Sequence, residues 1–117
     1  MKEKDWTLIR ERYLRDELPV RLGGLAANLS RIKSFVNNEN NKALVESLID
    51  ESKHFIEWTA CEAEIDTAAK LVELQVELAL WHFNLDKTWL DMNQRKQISE
   101  KSNHWSQEIL MVSGLLS

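Results

Sequence analysis

The stretch VRLGGLAANLSRIKSFV, residues 20–36, sets Leu22, Leu25, Leu29, Ile32 and Val36 at successive gaps of 3, 4, 3 and 4. With about 3.6 residues per helical turn, those gaps align five apolar side chains on one stripe, the seam by which a helix packs on its neighbours. Gly23, Gly24, Ala26 and Ala27 fall between them. They weaken intrinsic helicity but leave room for a neighbouring backbone to come close. Pro19 stands just ahead of the stretch. Proline suits a helix's first turn and disfavours helical geometry in the residue before it, so it closes one segment and opens the next.

Upstream, residues 5–17 read as a short helix with Trp6, Ile9 and Tyr13 on one side and Arg10, Arg12 and Arg15 spread around the rest. Downstream, the Asn-rich run at 37–41 reads as a loop. Residues 42–58 follow as a helix whose broad apolar face holds Leu44, Val45, Leu48, Ile49, Ser52, Phe55 and Ile56. Thr59 and Glu62 have the spacing of a capping box, which would open a long helix over residues 60–90. One kinked helix across residues 42–90 is the alternative. Asp91 reads as the cap of a last helix over residues 92–113, with Gly114 at the position of a C-terminal glycine. Its apolar stripe is Ile98, Trp105, Ile109, Val112 and Leu116.

The expected fold is therefore all-α: an antiparallel four-helix-type bundle with an additional short N-terminal helix, one domain over residues 1–117. Three glycines and one proline in 117 residues fit helices joined by few loops, where a sheet protein needs many turns. Apolar residues at 44% and charged residues at 29% exclude a disordered chain. No stretch reaches 18 uncharged apolar residues, and the charged N-terminal run is not a signal peptide, so a cytoplasmic protein without a membrane span is expected. Cys61 is the single cysteine, so neither an intrachain disulfide nor a thiol zinc site can form.

The net charge of −4 is unevenly distributed. Residues 1–36 carry +3, residues 37–91 carry −8 and residues 92–117 carry +1. An acidic centre with basic flanks is self-complementary, within one bundle or across a dimer, and is a poor grip for phosphates.

The long helix is the most informative segment for function. Glu62, Asp66, Lys70, Glu73 and Glu77 gather on one side, and nearly everything else is apolar. Such an arc implies burial on two sides, as in a central helix or one shared with a second subunit. Gln75, His82 and Asp86 align on one line in that arc. A buried His82–Asp86 pair at i, i+4 would raise the histidine's pKa. With Trp81 and Trp89 as walls, the line would be a ligand pocket; as a plain hydrogen-bonded row it would fix the register of helices or subunits. Of the other tryptophans, Trp105 lies on a core stripe, whereas Trp6 and Trp58 lie near segment ends and suit contact with a partner.

Other chemistry finds little support. Glu51 and His54 match one copy of the ExxH element that di-metal bundles use twice, but His54 projects opposite an apolar arc centred near Ser52. No metal or cofactor is expected. His104 falls on the polar side of its helix. No phosphate loop, nucleophile elbow or HExxH occurs. Nucleic-acid binding would require Arg10, Arg12, Arg15, Arg21 and Arg31 to converge on one exposed face.

Four segments carry a resemblance: Leu18 to Leu29, Glu51 to Ala60, Leu71 to Trp81, and Trp105 onward through Ser113 to Leu116. Together they resemble a family of small, uncharacterised all-helical proteins of cyanobacteria with no assigned activity. The resemblance implies a cyanobacterial cytosolic protein and carries over no catalytic residue. The expected function is a non-enzymatic protein–protein interaction or assembly role, as a homo-oligomer or docked on another protein. A small-molecule binder or enzyme using Gln75, His82 and Asp86 is the second reading, and nucleic-acid binding the third.

Overall fold

The computed structural model describes residues 4–115, which form five α-helices and no strand. They are α1 (Trp6–Arg15), α2 (Leu18–Phe35), α3 (Lys42–Thr59), α4 (Ile65–Trp89) and α5 (Met92–Ser113). Single 3-10 turns, Glu39–Asn41 and Ala60–Glu62, precede α3 and α4. The all-α expectation holds. The caps at both ends of α5 also hold: Asp91 accepts from the Asn93 and Gln94 amides, and Gly114 takes φ +88°. That angle suits glycine, which lacks the Cβ that would clash there.

Helices α2 to α5 form a ring of antiparallel neighbours. Asn28 on α2 donates to Glu51 on α3, and Lys42 at the start of α3 pairs with Asp86 near the end of α4. Lys70 and Glu77 on α4 meet Glu108 and Trp105 on α5. The ring closes between α5 and α2. There Ser99, Ser102 and Ser106, spaced as a helical stripe, donate to the carbonyls of Lys33, Leu29 and Ala26 at 2.9, 2.6 and 2.8 Å. Hydroxyls that reach a neighbouring backbone need the two helices very close, and only small side chains permit that. The α2 seam of Leu22, Leu25, Leu29, Ile32 and Val36 is buried throughout. Ile98 and Ile109 enter the core from α5, while Trp105 and Val112 are only half-buried. Leu116 lies outside the described residues.

Two expectations need correction. Leu44 is exposed rather than part of the α3 core face. Thr59 and Glu62 do not cap α4, which begins at Ile65. Both side chains are claimed by helices distant in sequence. Thr59 Oγ1 donates to the Tyr13 hydroxyl (3.3 Å), which itself donates to the Arg21 carbonyl (2.8 Å), and Glu62 accepts from Arg21 Nη1 at 2.6 Å. Satisfying buried polar atoms outweighs a surface cap worth about 1 kcal/mol. Residues 42–90 are thus two helices around a turn, not one kinked helix.

The charge asymmetry is used within the chain. Lys4–Glu51, Arg21–Glu62 and Lys101–Glu77 each join a basic flank to the acidic centre.

Replacing Ser102 by Ala should cost about 1 kcal/mol in urea unfolding, a hydroxyl bond without a packing change. Ser102→Leu should cost roughly 1–3 kcal/mol or more by forcing α5 off α2; a stable S102L chain would rule out the close approach. Tyr13 is the only tyrosine, and burial pushes its hydroxyl up to about 12. Tyrosinate absorbance should therefore stay flat through pH 10 and rise near 12. Because the folded value is raised, the unfolded chain ionises first, and stability should fall as pH climbs from about 10 to about 12.

Candidate functional site

Helix α4 has two apolar faces. Leu71, Leu74, Leu78, Trp81 and Leu85 are buried against the bundle. On the opposite side, Ile65, Ala69, Val72, Val76, Leu80 and Phe83 follow at gaps of 4, 3, 4, 4 and 3, and all six are exposed. Phe83 is 86% exposed, and Val72 and Val76 57% each. At about 100° per residue the two faces lie roughly half a turn of the helix cylinder apart, and the outer stripe runs about 27 Å. Water-facing apolar residues are ordinary when scattered, but six in heptad-like order on one helix form a contiguous strip. Asp66 and Glu73 line one edge of this strip, Gln75, His82 and Asp86 line the other, and Lys87 follows at its C-terminal end.

The Gln75–His82–Asp86 line is therefore real as an alignment, but it flanks α3 and is not buried in mid-arc. Asp86 is 88% exposed on its side chain and pairs with Lys42, not with His82. The hydrogen bond from Lys42, reinforced by its charge, holds the Asp86 carboxyl below the usual aspartate value, and the same bond raises the Lys42 amine. His82 Nδ1 accepts from Lys53 Nζ at 3.2 Å, and its Nε2 lies 3.7 Å from Glu46. Long side chains from α3 reach each group before the two can reach one another. Gln75 is half-buried, and its Oε1 has no hydrogen-bond partner among the described residues.

Trp81 and Trp89 do not wall a common pocket with these residues. Trp81 packs toward α5, bordering a cleft with Ile98, while Trp89 donates its Nε1 to the Glu39 carbonyl at 2.7 Å. The groove that His82 borders, about 560 Å³, is shared with Lys4, Trp6, Glu46 and Asp50. Trp6 and Trp58 turn their rings inward, where they hold α1 on α3. Trp6 stacks on His54 at 3.7 Å between centroids and meets Trp58 edge-on at 6.3 Å, while Tyr13 stacks on Phe55 at 3.9 Å. Aromatic pairs at these distances add to the area they bury.

Glu51 and His54 diverge. Glu51 accepts from Asn28, and His54 Nδ1 faces the Asp50 carbonyl at 2.8 Å. Among the described residues no histidine, cysteine, aspartate and glutamate cluster is arranged for a metal. The arginines scatter: Arg10, Arg12 and Arg15 are exposed on α1, Arg31 bonds Asn28, and Arg21 is buried in its own ion pair. Arg21 therefore adds nothing to an exposed basic face. Among the described residues no helix is long and apolar enough to cross a membrane. No family model matches this chain, and no curated protein or solved structure matches it either.

The burial of Arg95 was not read from the sequence. Arg95, in the first turn of α5, is as buried as the core, although arginine in a first turn usually signals a wet surface. NMR titration should find the Asp86 carboxyl below the ordinary aspartate value, and Lys42→Gln should return it upward. The pair's stabilisation is then present above the free aspartate value and fades as pH falls through the folded one. An Asp86 that titrates identically with and without Lys42 would undo the pairing.

Proposed function

We propose that this chain is a non-enzymatic assembly protein that pairs with a second copy of itself through the outer stripe of α4. The observation that carries the reading is the heptad-like order of exposed Ile65, Ala69, Val72, Val76, Leu80 and Phe83. An isologous twofold contact needs one patch that complements itself. An antiparallel pairing centred between Val76 and Ala79 meets that need: it sets Val72 against Phe83 of the second copy. It also brings Asp66 beside Lys87 of the second copy, twice by symmetry. Both side chains are exposed and enter no ion pair in their own chain among the described residues. A parallel pairing would instead set His82 near Lys87 and Gln75 near Leu80, with no opposite charges matched. Charge therefore favours the antiparallel arrangement.

Light scattering coupled to size exclusion should report a dimer at micromolar concentration. Val76→Glu should give a monomer of unchanged helicity, because Val76 faces water in the single chain. Asp66→Lys and Lys87→Asp should each weaken the dimer about tenfold, and the double swap should restore it. A monomeric parent would overturn the proposal; a swap that fails to restore the dimer would overturn the antiparallel register.

A further inference from the structure

We propose that the pocket beside Arg95 binds a small organic monocarboxylate with an apolar body. The chain contains its own control for this reading. Two arginines are buried to the same degree, Arg21 at 9% exposure and Arg95 at 8%. Arg21 is matched: its Nε donates to the Asp16 carbonyl at 2.7 Å, and its Nη1 to the Glu62 carboxylate at 2.6 Å. Arg95 enters no ion pair among the described residues, and its buried Nε has no acceptor at all.

The partners that Arg95 does have orient it without neutralising it. Nη1 donates to the Trp89 carbonyl at 3.1 Å, and the guanidinium lies over the Trp89 ring, 5.5 Å from its centroid. The carbonyl belongs to the negative end of the α4 dipole, which offsets part of the charge. Removing a guanidinium from water without a counter-anion remains unfavourable, and its planar fork suits a carboxylate.

A cavity of about 470 Å³ adjoins it, lined by Glu39, Asn40, Trp89, Leu90, Met92 and Arg95. That size is in the range of small-ligand sites. Its chemistry selects among anions. One cation matches a single negative charge, and acidic Glu39 among the lining residues disfavours a polyanion such as phosphate. Leu90 and Met92, 88% and 74% exposed, offer an apolar surface next to the Trp89 ring. A carboxylate head at Arg95 and a hydrocarbon body on Leu90 and Met92 satisfy both. The site lies past the end of the α4 stripe, so it does not rest on self-pairing.

The test is an NMR titration of the full chain with hexanoate, following the Trp89 Nε1–H and Met92 methyl signals. Hexanoate should saturate both at millimolar concentration, whereas 1-hexanol, acetate and inorganic phosphate should each bind about tenfold more weakly or not at all. Arg95→Gln should weaken hexanoate about tenfold or more. If that variant loses its helical signal, Met92→Glu, at an exposed position, should abolish binding by setting a carboxylate at the rim. Val76→Glu should bind hexanoate as the parent does. Hexanol binding as tightly as hexanoate, phosphate binding in its place, no saturation, or unchanged affinity in M92E would each overturn the proposal.

Discussion

The contact between α2 and α5 governs the rest of the structure. Ser102 and Ser106 donate to carbonyls that already serve the α2 helix, using their second lone pairs, and Ser99 donates to the Lys33 carbonyl in the last turn of α2. A hydroxyl one carbon from its backbone can do this only if the two helices nearly touch. Ala26 and the leucines of the α2 seam then close the core at that distance. With α5 drawn tightly onto α2, the opposite helix, α4, is left with one face to the bundle and the other to water. The exposed stripe and the tight seam are two consequences of one arrangement.

The same arrangement sorts the polar residues. Where α1 crosses α3, Tyr13, Thr59, Arg21 and Glu62 form a closed set in which hydroxyl, guanidinium and carboxylate each find partners. At the other end of the bundle, Arg95 lies in an equally buried place and enters no ion pair among the described residues. Proteins rarely leave a buried charge without an anion, because desolvation is not recovered by packing alone. The contrast between the two arginines is what sets the second end apart as a binding place. Neither the outer stripe of α4 nor this pocket depends on titrating groups poised for catalysis.

Much of the fold was legible in residue order. The gaps of Leu22 to Val36, the Asp91 cap and Gly114 depend on neighbours within one helical turn, so local spacing reads them correctly. The alignment of Gln75, His82 and Asp86 was equally legible, as was the two-sided character of α4. What failed was the assignment of partners. His82 and Asp86 have the spacing to meet, yet Lys53 and Lys42 on another helix reach them first. Trp6 and Trp58 sit near segment ends, yet each finds aromatic rings inside the chain. The role of the serines at 99, 102 and 106 was not legible, because their acceptors are about seventy to eighty residues away in sequence.

By itself the sequence determined the helical class, the helix order and the ends of α5, since helix period and caps are set by residues within a few positions of one another. Only the tertiary structure decided which apolar face of α4 is buried, which charge meets which, and that Arg95 lies inside without an ion pair among the described residues. Those outcomes turn on distances between separate helices, and a side chain takes the first partner that packing brings within reach, not the one its spacing suggests.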